Sequence, residues 1–162
     1  MNSPKSYFLD INKAVATYAD TVYKIALART GNKHDADDIF QEVFLRLTKY
    51  AGKISSDEHA KRWLIRVTIN CCKDHYAFWK TNTFDISDLG VVWMPEENDI
   101  YQSVLRLPPK YRDVIHLFYY EQLSIKEISI VLKIKETTVK SQLSRGRDKL
   151  RDMLNGELLY EF

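Results

Sequence analysis

The stretch from Ser124 to Leu154 reads SIKEISIVLKIKETTVKSQLSRGRDKLRDML and predicts two helices joined by a tight turn. Ser124 and Glu127 form a capping box, in which a serine hydroxyl and a glutamate three residues later satisfy the free amides of a helix start. A short break at residues 133–135 precedes the second helix, which is typical of a helix-turn-helix whose second helix enters the DNA major groove. The inward positions of this second helix are Val139, Leu143, Gly146 and Leu150.

Positive charge is concentrated on the second of these helices. Between Lys133 and Arg151 the sequence holds seven Lys or Arg and two acids, although the whole chain has a net charge of only +2. The difference arises because residues 81–105 contain five acids and no basic residue. Since Lys and Arg neutralise DNA phosphates, this distribution favours a nucleic-acid partner.

Length and composition indicate a small globular protein built from helices. The chain has 162 residues, of which 45% are hydrophobic and 28% charged, enough for one ordinary domain or two small ones. Five glycines, four prolines and the lack of a long polar–apolar alternation argue against strands and hairpins. We therefore predict an all-α fold.

Cysteine usage and the N-terminal residues predict a cytoplasmic protein. Cys71 and Cys72 are the two cysteines, and because adjacent cysteines do not staple a fold, they fit a reducing compartment. The N-terminal sequence MNSPK lacks the apolar run of a signal peptide, and no stretch approaches the length of a membrane span.

Helical periodicity divides the chain into two small helical domains joined by an acidic linker. The first domain is predicted at residues 7–80. Residues 81–98 are aperiodic and acidic, and we interpret them as the linker. The second domain, residues 99–155, contains the helix-turn-helix and an earlier helix that starts at Pro108-Pro109, because proline suits a first helical turn.

Three helices that share a core are predicted in the first domain, at residues 7–29, 34–50 and 57–80. A capping box from Ser55 to Glu58 is expected to open the third helix. The first helix is predicted to turn inward Phe8, Ile11, Val15, Tyr18, Val22, Ile25 and Ala26.

Aromatic and basic side chains alternate along the third predicted helix. Trp63 lies among Lys61, Arg62, Arg66 and Lys73. Such a set suits single-stranded nucleic acid, because bases stack on rings, with about 1–3 kcal/mol per base, while cations follow the phosphates. The alternative is that Trp63 belongs to the core and the charges form a solvated surface. The residues by themselves leave both interpretations open.

Two groups of motifs resemble the sigma factors of bacterial RNA polymerase. DADDIFQEVFL at residues 35–45 and WLIRVTIN at 63–70, with Asp74, are similar to conserved region two. LPPKYR at 107–112 and the segment 127–150, which includes TVKS, are similar to region four. The chain length, the order of the motifs and the linker resemble the small extracytoplasmic-function (ECF) group, which keeps only these two regions.

The resemblance implies a transcription initiation factor that binds core RNA polymerase and directs it to promoters. The outer face of the second helix is expected to dock on the clamp coiled coil of the largest subunit through Asp38, Gln41, Glu42 and Leu45. A second contact is expected with the flap of the second-largest subunit. An anti-sigma factor is a further expected partner, whereas no enzymatic activity, cofactor, metal or small-molecule ligand is expected.

The resemblance also implies two sets of residues that contact promoter DNA. The minus-ten set, which holds a flipped base of the non-template strand, is Lys61, Arg62, Trp63, Arg66, Asn70 and Lys73. The minus-thirty-five set in the major groove is Thr138, Lys140, Ser141, Gln142, Arg145, Arg147 and Lys149. Arg147 and Lys149 are expected on phosphates, and Asn70 near the base pocket.

Four positions depart from the usual pattern of the family. Ser129 and Gly146 each stand where alanine is usual, and Lys133 stands where the turn usually has glycine. A positive φ at Lys133 would carry a steric cost, and Gly146 would cost up to about 1 kcal/mol in a helix interior. Lys135 provides no serine or aspartate cap for the recognition helix.

Two other classes of protein fit parts of the sequence. A stand-alone helix-turn-helix regulator explains residues 124–154 and leaves the aromatic and basic stretch of the third helix without a role. A nuclease would use Asp38 and Glu42, yet no histidine or third carboxylate stands at a useful spacing. Cys71, Cys72 and His75 would put three metal ligands on one helix, which is a poor site.

Overall fold

The computed structural model describes residues 6–80 and 99–154. Side chains are described for residues 6–75 and 100–154, so the predicted linker at 81–98 lies outside the described residues. Within them the chain forms helices and no strand, which confirms the all-α prediction. The α-helices are α1 Ile11–Thr30, α2 Lys33–Tyr50, α3 Asp57–Lys80, α4 Asp99–Leu105, α5 Pro109–Ile115, α6 Ile125–Leu132 and α7 Glu136–Met153.

The chain divides into two compact units, Met1–Val92 and Trp93–Phe162. In the first unit α1, α2 and α3 pack on one another around aliphatic side chains. Its fully buried residues include Val22, Val43, Leu47, Leu64 and Ile65. In α2 the buried positions Ala36, Ile39, Val43 and Leu47 recur every three or four residues, so the opposite face of this helix stays free of the core.

Helix α1 begins at Ile11 rather than near residue 7, because the carboxylate of Asp10 accepts a hydrogen bond from the Lys13 amide at 3.3 Å and caps the helix. Phe8 therefore lies before the helix and no longer follows its period. The prediction that Phe8 points inward is wrong, since its side chain is 88% exposed. At the other end Gly31 adopts a left-handed conformation, φ 75°, and its amide donates to the Leu27 carbonyl.

Helix α3 spans the predicted residues, but its cap lies one residue later than the predicted Ser55–Glu58 box. The Ser56 hydroxyl accepts from the His59 amide at 3.0 Å. The Ser55 amide in turn donates to Nδ1 of His59 at 3.0 Å. An imidazole thus accepts from an amide at the helix start, as a glutamate does in the usual capping box, but the amide belongs to the residue before the cap.

The second unit contains α4 to α7 and a π-helical turn, His116–Tyr120, that continues α5. Pro109 occupies the first position of α5, as predicted. The Glu121 amide donates to the carbonyl of His116, five residues earlier, at 3.2 Å. The core of this unit includes Val114, Ile115, Leu117, Ile128, Val139 and Leu143. Within residues 6–80 and 99–154 no helix has both the length and the apolar character of a membrane-spanning segment.

Candidate functional surfaces

The outer face of α2 combines acids with an exposed leucine. Asp38, Gln41, Glu42 and Leu45 are all exposed, while Ile39 and the following core positions of the same helix are buried. Leu45 is 55% exposed, so an apolar side chain lies at the end of an acidic stripe. The structure thus brings the four predicted polymerase-binding residues onto one face.

The two acids of this face each pair weakly with a basic side chain of the same helix. Glu42 Oε1 accepts from Arg46 Nε at 2.7 Å, a bond that raises the pKa of the Arg46 guanidinium. Nδ1 of His34 lies 3.4 Å from a carboxylate oxygen of Asp38. Exposed i,i+4 pairs contribute about 0.3–0.5 kcal/mol, so both acids are readily transferred to an external partner.

The outer face of α3 carries most of the predicted minus-ten residues. Trp63, Arg66, Asn70 and Lys73 follow one another at spacings of three or four residues and form one stripe, with Arg62 beside it. Asn70 and Lys73 are exposed, whereas the other three are half-buried. Lys61 differs, because its spacing places it with the buried residues Ile65, Thr68 and Cys72, and it is not part of the stripe.

One face of the Trp63 ring packs against another side chain of the protein. Its ring stacks on that of Tyr50 with 4.9 Å between centroids and 10° between planes. Lys53 Nζ lies 5.7 Å from the centroid of the Tyr50 ring. Trp63 remains half-buried, so both sequence interpretations hold in part: the indole packs against the protein and still borders the polar stripe. Sequence reasoning missed Tyr50, because the stack joins the end of α2 to α3 across the bundle.

The predicted minus-thirty-five residues fall on two flanks of α7. Thr138, Gln142, Arg145 and Lys149 follow helical spacing on one flank, with Ser141 beside them. Lys140 and Arg147, seven residues apart, lie on the other flank. The buried stripe of Val139, Leu143, Gly146 and Leu150 lies behind both flanks, as predicted. Ser141 donates its hydroxyl hydrogen to the Thr137 carbonyl at 3.0 Å, which leaves its oxygen as an acceptor.

The turn of the helix-turn-helix is held by backbone and side-chain bonds. The predicted capping box is confirmed, with Ser124 and Glu127 bonded in both directions at 2.9 and 3.1 Å. Lys133 takes the left-handed conformation, φ 56°. The Ile134 amide donates to the Ser129 carbonyl at 3.1 Å, and the Ser129 hydroxyl donates to the Ile134 carbonyl at 2.6 Å. The two bonds between Ser129 and Ile134 therefore hold the turn in which Lys133 adopts its strained left-handed conformation.

The two remaining departures have different outcomes. Lys135 provides no side-chain cap for α7, as expected from its type. A Cβ at Gly146 would lie 3.1 Å from Ile115 Cγ1 and 3.4 Å from the Tyr111 Cβ, so a larger residue there would require these side chains to shift by a few tenths of an ångström. Glycine lowers the helix propensity at this position, but the absence of a side chain allows α5 and α7 to approach closely.

Arg147 and Lys149 both have aromatic partners within the second unit. Arg147 Nε donates to the Tyr119 hydroxyl at 2.5 Å, and its guanidinium carbon lies 5.9 Å from the Phe118 ring centroid. Lys149 Nζ lies 5.6 Å from the centroid of Tyr111. Neither pairing was predicted, because the partners are 28 or more residues away in sequence.

The residues considered for a metal do not form a promising site. Cys71 and Cys72 are buried free thiols, and burial raises the pKa of Cys71, which disfavours the thiolate that a metal requires. Among the described side chains His34, Asp35 and Asp38 bring potential ligand atoms within 4.8 Å of one another. His34 and Asp38 are exposed, and such acidic groups are common on protein surfaces.

Comparisons with known proteins match this two-unit helical architecture. The family model for Sigma-70 region 2 matches residues 14–78, and that for Sigma-70 region 4 matches residues 97–150. The ECF RNA polymerase sigma factor SigW of Bacillus subtilis is 32% identical, over 91% of this chain and 88% of its own length. SigM of the same organism is 31% identical, over 91% of this chain and 96% of its own length.

Solved structures show the same fold at lower sequence identity. The sigma factor RpoE of Bartonella quintana, solved with the anti-sigma factor NepR, has a TM-score of 0.71 and 15% identity, covering 91% of this chain and 98% of its own. CnrH, solved with the cytosolic domain of CnrY, has a TM-score of 0.68 and 22% identity, covering 91% and 88%.

These matches define a two-domain protein of the Sigma-70 class, with region 2 in the first unit and region 4 in the second. The chain belongs to the ECF RNA polymerase sigma factors. The prediction of the family from the sequence is thereby confirmed, and a stand-alone regulator is not favoured.

Proposed function

We propose that this chain binds core RNA polymerase through the outer face of α2 and directs it to promoters with α3 and α7. The observation that carries the proposal is the exposure of all four predicted docking residues on one face of α2, in a chain that belongs to the ECF sigma factors. The activity is that of a cytoplasmic initiation factor, and no catalytic step is assigned to the chain.

Docking on the polymerase combines charge and apolar contact. Asp38 and Glu42 supply negative charge to a basic partner surface, and Gln41 between them supplies an amide. Leu45 supplies the apolar anchor, since burying a leucine contributes about 1.5–3 kcal/mol. Charge complementarity steers the encounter, while the buried leucine slows dissociation.

Promoter melting needs both the α3 stripe and the polymerase. Opening about five base-pair steps costs roughly 7 kcal/mol, at a mean of ~1.4 kcal/mol each. Capturing one or two bases near Trp63 and Asn70 returns about 1–6 kcal/mol. The isolated chain therefore leaves a duplex closed, and the holoenzyme opens it. Arg62, Arg66 and Lys73 contact the backbone of the captured strand.

The minus-thirty-five element is read by α7 in the major groove. Ser141 and Arg145 are exposed at mid-length of α7 with the half-buried Gln142 beside them, and side chains at such positions reach base edges in the groove. Thr138 and Lys140 precede them near the start of the helix, and Lys140 contacts a phosphate. Lys149 also contacts a phosphate once its ammonium group has moved away from the Tyr111 ring.

An anti-sigma factor is the regulatory partner that we propose. RpoE of Bartonella quintana was solved with such a factor, and this chain shares its fold over most of its length. The partner would act by covering the surfaces of α2 or α7 that polymerase and promoter use.

Gel filtration of the chain with bacterial core polymerase tests the docking face. The wild type is expected to co-elute with polymerase, and the variant Asp38→Ala/Glu42→Ala to lose most of that association. The matched control is Asp20→Ala/Glu58→Ala, which removes the same charge from exposed positions elsewhere in the first unit. An equal loss of co-elution in both double variants would show that net charge, not the α2 face, determines polymerase binding. Co-elution of every variant would contradict the assignment of the docking face to α2.

Promoter opening is tested with permanganate, which modifies unpaired thymines. A duplex selected by the wild-type holoenzyme is expected to react in the presence of polymerase and not with the isolated chain. Asn70→Ala and Trp63→Ala are expected to reduce the reactivity without loss of co-elution. Salt-sensitive duplex binding by the free chain, with no polymerase association, would support a stand-alone regulator instead.

A further inference from the structure

Arg147 is held by the π-helical turn that follows α5. Its Nε donates to the Tyr119 hydroxyl at 2.5 Å, and its guanidinium carbon lies 5.6 Å from the centroid of the same ring. The Phe118 ring, 5.9 Å from that carbon, covers the group from a second direction. A single side chain of α7 thus makes a hydrogen bond and two cation–π contacts to two consecutive residues.

The two aromatic residues form a preorganised receptor for the guanidinium. Their rings meet edge to face, with 5.0 Å between centroids and 79° between planes. The π-helical turn that carries them widens the backbone by one residue relative to an α-helix, which alters the direction of the side chains that follow. Arginine suits this receptor because its planar group can stack and donate at the same time, whereas a lysine ammonium offers a point charge.

The contact joins the recognition helix to the element that supports it. Behind α7 the close approach of Gly146 and Ile115 fixes the distance between α5 and α7. Helix α7 also packs against α6 and α4. The bond from Arg147 to Tyr119 adds a directional contact on one flank of α7, because Tyr119 lies in the π-helical turn, four residues after Ile115.

We propose that Arg147 is a positioning residue of the recognition helix rather than a phosphate contact. By binding Tyr119 and Phe118 it sets the tilt of α7, and so aims Ser141, Gln142 and Arg145 at the base edges. This inference rests on the proposed function of α7 in promoter recognition. The inference also assigns different roles to two neighbouring arginines of α7: Arg145 contacts DNA, and Arg147 positions the helix.

Salt dependence of promoter binding distinguishes the two roles. Holoenzyme affinity is measured at several salt concentrations for a duplex selected by the wild type and for an unrelated duplex. Each lost phosphate contact lowers the slope of log affinity against log salt by about 0.9. Arg147→Ala, Arg147→Lys and Tyr119→Phe are expected to keep the wild-type slope. All three are expected to lower the ratio of specific to nonspecific affinity, by roughly two- to thirtyfold.

Lys140→Ala is the matched control, since it removes the same charge from a residue of α7 that the proposed function places on a phosphate. Its slope is expected to fall by about 0.9. A lower slope in Arg147→Ala that Arg147→Lys restores would overturn the inference, because a phosphate contact needs charge and no planar group. An unchanged specificity ratio in Arg147→Ala and Tyr119→Phe would also overturn it, since a purely stabilising contact leaves that ratio unaltered.

The design separates failure of this inference from failure of the proposed function. If the slope is unaffected in Lys140→Ala as well as in Lys149→Ala, α7 does not contact DNA and both are wrong. If Lys140→Ala behaves as expected while Arg147→Ala loses a phosphate contact, only the positioning role is wrong. Measurements well below the thermal midpoint of each variant keep unfolding out of the comparison.

Discussion

Lys133 adopts a left-handed backbone conformation that residues other than glycine rarely adopt. Its φ of 56° ends α6 and starts the turn toward α7. Left-handed geometry costs an L-residue about 1–2 kcal/mol, because Cβ approaches the following carbonyl oxygen. Ser129 offsets part of this cost with the 2.6 Å bond from its hydroxyl to the Ile134 carbonyl. The two unusual residues of the turn therefore act as a pair.

Lys133→Gly is expected to stabilise the second unit by up to about 1 kcal/mol, because relief of the Cβ conflict exceeds the added entropy of the unfolded chain. Thermal unfolding followed by circular dichroism measures the change. The matched control is Lys140→Gly, which removes the same charge from an exposed position inside α7. It is expected to destabilise by about 1 kcal/mol. Equal shifts in both variants would contradict strain at Lys133.

A tyrosine–aspartate bond makes part of the first unit sensitive to high pH. The Tyr7 hydroxyl donates to Asp57 at 2.5 Å, and this bond raises the pKa of Tyr7 from 10.0 to about 12. Because the folded pKa lies above the unfolded one, the contribution is fully present below pH 10 and is lost as pH rises through about 12.

Tyr7→Phe is expected to reduce this alkaline sensitivity. Between pH 10 and 12 the midpoint of urea unfolding should fall less steeply in the variant than in the wild type. The difference in phenolate absorbance between the wild type and the variant isolates the titration of Tyr7 from that of the other nine tyrosines. The outcome against the prediction is identical slopes in the two proteins, which would mean that Tyr7 titrates alike in the folded and unfolded chain.

Packing between helices decides whether a glycine can be replaced. At Gly146 a Cβ would meet Ile115 Cγ1 at 3.1 Å, whereas at Gly52 a Cβ would meet nothing within 4 Å. Gly146→Val is therefore expected to destabilise the second unit by about 1–3 kcal/mol through overpacking. Gly52→Val is expected to change the stability of the first unit by less than that. Denaturant unfolding of both variants provides the comparison, and a neutral Gly146→Val would show that α5 and α7 separate easily.

Elements with a strong local signal could be predicted from the sequence. The helix-turn-helix follows from the Ser124–Glu127 box and a regular apolar stripe, and α5 follows from Pro108-Pro109, because both signals act within a few residues. The cap of α3 was misplaced by one residue, since two adjacent serines offer alternative caps and the choice depends on His59.

Contacts between distant residues could not be predicted in this way. The Tyr50–Trp63 stack and the Arg147–Tyr119 bond join different helices, and no periodicity relates the partners. The face of α2 was predictable because its four residues share one helix period, yet the 55% exposure of Leu45 depends on how α2 packs against its neighbours. The role of Gly146 likewise required the position of Ile115.

At the scale of the whole molecule, the proposed tasks divide between the two compact units. The first contains the proposed polymerase-docking face and the minus-ten stripe, and the second contains the recognition helix. Each unit has its own buried core. Variants of one unit are therefore expected to leave the other unit folded, which allows polymerase binding and promoter reading to be measured separately.

Leu45→Ser is expected to weaken polymerase binding roughly three- to tenfold. Docking buries only the 55% of Leu45 that is exposed, which contributes about half of the ~1.5–3 kcal/mol for a whole leucine. Fluorescence anisotropy of labelled chain with core polymerase measures the affinity. Ile130→Ser is the matched control, since Ile130 is 52% exposed on the second unit. Its affinity for polymerase should change little. A thermal midpoint near that of the wild type is expected for Leu45→Ser, because the side chain leaves no cavity in the core.

Because a Cβ at Gly146 would lie 3.1 Å from Ile115 Cγ1, we expect the two positions to change together among related chains. In related chains with alanine at the position of Gly146, the extra methyl group needs room that Ile115 fills in this one. A smaller or differently branched residue is therefore expected at the position of Ile115 wherever alanine replaces the glycine. The two sites should co-vary in an alignment of the family, and a lone change at either site should be rare among natural sequences.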